Sequence, residues 1–157
     1  MIILKKVLRN LFYLFLPILI GGLCSLIIKN DVLIYKNLNL PKLSPPGYLF
    51  GIVWPILYLL IGLSYYLLKK KTEDYDISEV SFWYYLQLII NFFWSIFFFK
   101  NQMFLFSVFW LLLLIVVVVV MFIKFYKINK LSSYILIPYL IWLLFALYLN
   151  LGVVILN

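Results

Sequence analysis

The sequence predicts an all-α integral membrane protein, a single bundle of five transmembrane helices over residues 1–157. Three observations carry this. The acidic and basic residues leave five long stretches empty, 11–28, 47–68, 82–99, 103–123 and 133–156. Each is near the roughly 20 apolar residues a helix needs to cross a hydrocarbon core. The chain is 68% hydrophobic with a mean hydropathy of +1.15, well above the roughly 45–50% apolar usage of soluble domains. Finally, runs such as Leu111-Leu112-Leu113-Leu114-Ile115-Val116 do not alternate, which argues against the strands of a membrane barrel. Helix is then the spanning structure that pairs its own backbone amides.

The first stretch follows Lys5, Lys6 and Arg9, as in a signal peptide. It is longer than the roughly 7–15 residues of a signal core and no Ala-x-Ala site follows, so a retained helix is expected. Gly22-Leu23-Cys24 lacks the small residue a lipoprotein site places just before its cysteine, and with one cysteine there is no internal disulfide. The connection 29–46 holds Tyr35, Leu38, Leu40, Pro41 and Leu43, more apolar than a solvated linker. Pro45-Pro46 stiffens its end, and Ser44 is expected to cap the second helix. Two readings stand: a helix-start signal, or a semi-rigid lid over one mouth of the bundle.

Trp83, Tyr84 and Tyr85 open the third stretch and read as interfacial anchors. Pro55 and Pro138 lie inside apolar stretches and are expected to kink them. No internal repeat supports the inverted-repeat design of many transporters.

Alternating the connections across the membrane puts Lys5, Lys6, Arg9, Lys69, Lys70, Lys71, Lys124, Lys127 and Lys130 on one side. Lys29, Lys36, Lys42 and Lys100 fall on the other. The basic-rich side is expected to be cytoplasmic, with the amino terminus inside and the carboxyl terminus outside. Glu73, Asp74, Asp76 and Glu79 share the inner side, where acids weigh little. The net charge of +8 is thereby explained by orientation, and nucleic acid is not an expected partner.

With no charge inside the spans, function must rest on aromatic and uncharged polar groups. Trp54 and Tyr58 share a face of the second helix; Gln87, Asn91 and Trp94 form a stripe on the third. Trp142, Phe145, Ala146 and Leu149 form another on the fifth. Amides are costly to leave unpaired in hydrocarbon, so Gln87 and Asn91 should face protein or a cavity. Interhelical amide bonds are also ordinary glue, worth on the order of 1 kcal/mol. Trp54, Trp94 and Trp142 lie roughly 10 Å into their helices at 1.5 Å per residue, deeper than simple anchors.

Three motifs carry a resemblance. Ser44-Pro45-Pro46-Gly47 with Gly51-Ile52-Val53-Trp54-Pro55-Ile56-Leu57-Tyr58 resembles the start of the second helix in the tryptophan-rich sensory protein family, bacterial relatives of the mitochondrial translocator protein. Gln87 to Ser95 resembles its third helix, and Pro138-Tyr139-Leu140-Ile141-Trp142 with Phe145-Ala146 and Tyr148-Leu149-Asn150 its fifth. The resemblance implies a five-helix bundle, often a homodimer, with a pocket that binds porphyrins and other flat aromatic molecules beneath the first loop. On this chain Pro45 and Pro46 would form the rim. Trp54, Tyr58, Gln87, Asn91, Trp142, Phe145 and Ala146 would line the pocket. Ile34 and Leu43 stand where the family usually has loop tryptophans, and nothing basic follows Tyr148, so sterol recognition is unsupported.

The function that follows is tetrapyrrole binding in the membrane, in sensing, transport or disposal. The alternative is an accessory membrane protein whose amides and aromatics serve packing only. The chain has no histidine, so no metal site is expected and a metal-free porphyrin is the favoured ligand, with no required cofactor. No acid–base pair or activated nucleophile suggests an enzyme. The one chemistry left is photochemical, with Trp54 and Trp142 donating electrons to an excited ring.

Overall fold

The structure is a computed structural model that describes residues 2–72 and 76–157. Glu73 and Asp74, assigned above to the inner side, lie outside the described residues. Helix α1 spans Ile2–Ile28, α2 Tyr48–Lys71, α3 Ser78–Ser95, α4 Phe104–Ile128, α5 Lys130–Tyr134 and α6 Ile137–Leu156. Ile96–Lys100 continues α3 as a wider π-helical turn, and Asp31–Asn37 forms a 3-10 helix in the first loop. Five stretches are long and apolar enough to cross a membrane, with α5 and α6 together making the fifth. The protein is a multi-pass integral membrane protein.

The helices outrun the uncharged stretches because a lysine ends the hydrocarbon-compatible segment without ending the helix: basic residues are good helix formers and suit the carboxyl end of the helix dipole. Thus α2 continues through Lys69, Lys70 and Lys71; α1 begins before Arg9 on helix propensity alone, since the dipole disfavours cations at an amino end. Asp76 accepts the Ser78 amide at 2.9 Å and thereby starts α3. Hydrogen bonding from Ser78 holds its carboxyl below the usual carboxylate range.

Four local expectations are corrected. Ser44 does not cap α2; its hydroxyl is buried without a partner, and the first turn is held by the Pro46 and Gly47 carbonyls, which accept Leu49 and Phe50 amides at 3.0 and 3.3 Å. Pro138 does not kink a continuous helix. It sits in the first turn of α6, where its missing amide would have no intrahelical partner, and the span is broken at Ile135-Leu136 instead. Tyr84 is no interfacial anchor. It is fully buried, stacked on Tyr65 at 3.8 Å and donating to the Tyr13 carbonyl at 3.0 Å. Its position three residues before Gln87 puts it on the same inward stripe. Along α6, Tyr139, Leu143, Ala146, Asn150 and Val153 point inward at alternating spacings of four and three, and Leu149 is buried as well; of the expected stripe, Ala146 and Leu149 are buried while Trp142 and Phe145 lie beside it, half-buried.

In packing, α1 lies on α2, while α3 and α6 both lie on α4. Outward residues such as Leu23, Ile52, Ile89, Phe109, Val116 and Ile141 are exposed, giving a surface suited to lipid. Inside lipid the apolar effect cannot drive helices together, so close backbone approach and polar contacts must. Gly62 supplies the first: a β-carbon there would run into the Leu14 carbonyl of α1. Glu79 and Lys124 pair across the ends of α3 and α4. The first loop folds back over the end of the bundle where α1 finishes. Its Tyr35 donates to the Pro45 carbonyl at 3.0 Å, and burial pushes that hydroxyl's pKa up.

Candidate functional site

The inward stripe of α3 is the polar spine of the bundle. Gln87, Asn91 and Trp94 are all buried, and each is engaged by α6. Tyr139 donates to Gln87 Oε1 at 3.0 Å and accepts from Asn91 Nδ2 at 2.8 Å. One turn pair further along, Asn150 Oδ1 accepts from Trp94 Nε1 at 3.2 Å and from Ser107 of α4 at 2.9 Å. Asn150 Nδ2 in turn donates to the Phe104 carbonyl at 3.0 Å. Three helices are therefore joined through one amide.

Tyr139 and Asn150 stand in the fifth-helix motif without an expected site role, and nothing in the sequence singles out Ser107. The four-three spacing from Tyr139 to Val153 was the available signal, obscured by the larger indole of Trp142 beside it. Replacing Tyr139 with phenylalanine removes the shared hydroxyl and leaves two buried amide groups without partners. A loss of about 1–3 kcal/mol is expected, read as a lowered melting temperature of the purified protein with the helical content unchanged.

Trp54 stands at the middle of the aromatic cluster. It stacks on Tyr58 at 5.4 Å, lies 6.4 Å from Trp94 and meets Trp142 edge-on at 6.5 Å. Trp142 also meets Phe50 at 5.8 Å and Phe145 at 5.5 Å. A cavity of about 440 Å³ opens on one side of Trp54, between α1, α2 and the end of α3, with Tyr58, Trp94 and Cys24 in its wall. Such a volume is within the roughly 300–1,000 Å³ range of small-molecule sites.

The structure thus divides the residues singled out by sequence. Trp54 and Tyr58 line the cavity. Gln87, Asn91, Ala146 and the half-buried Trp142 and Phe145 pack outside its wall, and Pro45 and Pro46 belong to the loop end of the bundle. Cys24, which the motif faces left out, is buried in the cavity wall with its Sγ 3.7 Å from the Phe92 carbonyl. Gln87 Nε2, Asn91 Oδ1 and Trp142 Nε1 are buried without partners, two donors and one acceptor from two helices. Of the positions where loop tryptophans were expected, Ile34 packs on the core while Leu43 is exposed.

Residues 13–156 match the family model described as the TspO/MBR family. The chain belongs to that family. It is 37% identical to Tryptophan-rich protein TspO of Archaeoglobus fulgidus over 123 residues, covering 78% of this chain and 79% of that one. It is 34% identical to the protein of the same name from Chlorobaculum tepidum, over 78% of both chains. The human Translocator protein is 30% identical over 118 residues, covering 74% of this chain and 70% of the human one.

Proposed function

We propose that this family member is a membrane-embedded binding protein for porphyrin-type flat aromatic ligands, serving tetrapyrrole sensing, transport or disposal. The observation that carries this reading is the cavity of about 440 Å³ walled by the stacked Trp54–Tyr58 pair. A flat apolar ring gains there from burial and from aromatic contact worth about 0.5–1.5 kcal/mol per pair. Metal-free porphyrin is the favoured ligand. Titrating it into the purified protein should quench tryptophan emission saturably. A strictly linear, unsaturable response at every protein concentration would count against the site.

A second reading is favoured for one part of the site. Both Gln87 and Asn91 are tied to Tyr139, which supports reading these amides as interhelical glue, in line with the accessory-protein alternative. Gln87→Leu should lower stability while leaving porphyrin affinity unchanged; a selective loss of affinity would return Gln87 to the ligand site.

The orientation proposed is amino terminus inside, from nine basic residues against four on the two sides. In a Cys24→Ala background, Lys70→Cys should resist an impermeant thiol reagent in intact cells and Asn37→Cys should react. The reverse pattern would invert the topology.

A further inference from the structure

The cavity has two conceivable entrances, and the structure treats them differently. At the loop end the way is roofed. Val32 of the 3-10 helix lies over the cavity, and Tyr35 packs edge-on against Phe50 at 5.2 Å. Further along the loop, the Asn39 amide donates to Asn157 Oδ1 at 2.9 Å and Asn157 Nδ2 donates back to the Asn39 carbonyl at 3.0 Å. Pro41 sits on Gly152, where an added β-carbon would come within 2.5 Å of the ring. The loop is therefore fastened to α2 and to the end of α6.

The side of the bundle is open. The α3 part of the cavity wall, Trp94, Ser95 and Phe99, is buried, whereas Gly22 and Ser25 of α1 and Gly51 and Pro55 of α2 are exposed. These residues interrupt a lipid-facing surface otherwise built from Leu19, Leu23, Leu26, Ile52, Ile56 and Leu59. A β-carbon on Gly22 or Gly51 would meet nothing within 4 Å. Neither glycine, then, is required for helices to touch. Closer to the other end of the bundle the same two helices lock, with Gly62 against the Leu14 carbonyl and Gly21 against the Tyr58 ring. So α1 and α2 meet at depth and part toward the loop end. Tyr58 is only 8% exposed and lines the cavity at that point of parting. Its phenol sets a hydroxyl in the cavity wall beside the Trp54 ring.

We propose that the cavity is entered sideways from the bilayer, through the gap between α1 and α2 framed by Gly22, Ser25, Gly51 and Pro55. The ligand class is accordingly a membrane-partitioned amphiphile, its apolar body against Trp54 and a polar group at the Tyr58 hydroxyl. This rests on reading the cavity as a ligand site, but its test does not need porphyrin. Cys24 is the sole cysteine and stands in the cavity wall, so its labelling reports access directly.

In vesicles, a maleimide carried on a long alkyl chain should label Cys24 faster than a sulfonated, membrane-impermeant maleimide, as read by mass spectrometry. Gly51→Leu and Gly22→Leu, which fill the gap, should slow the alkyl reagent by about tenfold, equivalent to ~1.4 kcal/mol of added barrier. Gly51→Ala, too small to fill it, should keep the parent rate. The pair Asn39→Ala with Asn157→Ala, which unfastens the loop, should leave the alkyl rate unchanged.

Faster labelling by the sulfonated reagent, accelerated further by unfastening the loop, would overturn the lateral route. So would parent-like alkyl labelling in both leucine variants, or no labelling of the parent by either reagent. If the expected pattern holds while porphyrin fails to quench saturably, the lateral entrance stands and the porphyrin assignment falls.

Discussion

Porphyrin affinity is expected to fall by about 10- to 150-fold when Trp54 is replaced by alanine, the equivalent of the ~1.5–3 kcal/mol carried by one large buried apolar side chain. Trp54 is the residue to test because it alone touches the cavity, Tyr58, Trp94 and Trp142. Trp54→Phe retains an aromatic body and should cost only about 0.5–1.5 kcal/mol. Trp142→Phe should leave affinity at the parent value, since Trp142 packs behind Trp54 and outside the cavity wall. Fluorescence titration in one detergent at one temperature measures all three. If light-driven breakdown of the bound ring occurs, Trp54→Phe should reduce it far more than it reduces binding, because electron donation needs the indole and shape does not. Parent affinity in Trp54→Ala would remove the ligand from this cavity.

The second large effect concerns the bundle itself. Gly62→Leu should destabilise the protein by about 3 kcal/mol or more, at or beyond the upper end of overpacking costs, because the atom in the way is the backbone carbonyl of Leu14 rather than a flexible side chain. The two helices can relieve the clash only by separating. Gly51→Leu provides the internal comparison: it sits on the same helix in open space and should shift the melting temperature little. Equal destabilisation by both would mean that α1 and α2 do not lock at Gly62.

Much of the architecture was legible before any coordinates, for reasons particular to membranes. A helix in hydrocarbon must be long, uncharged and internally hydrogen-bonded, and each of those demands leaves a mark in the chain. The inward turn of Gln87 and Asn91 was legible on the same ground, since amides cannot be left toward lipid. The α6 stripe was harder. In a chain apolar on both its inner and outer faces, periodicity distinguishes the two poorly, and the conspicuous Trp142 drew attention from Tyr139 and Asn150. The broken fifth span was also missed, because an apolar stretch reads as continuous through Ile135 and Leu136, and only Pro138 in the first turn of α6 marks where the helix restarts.

By itself the sequence determined the class of the molecule, the number and order of its spans, the apolar first loop and the aromatic character of its centre. Charge exclusion and residue type decide those, and both are local properties. Tertiary structure alone decided where space remains. It placed the cavity on the α1 side of Trp54, brought Cys24 into its wall, tied Gln87 and Asn91 to Tyr139, and opened the gap at Gly22 and Gly51. A void is a property of several helices at once: Gly51 and Gly62 are the same residue on the same helix, and only the distance to α1 makes one a gap and the other a lock.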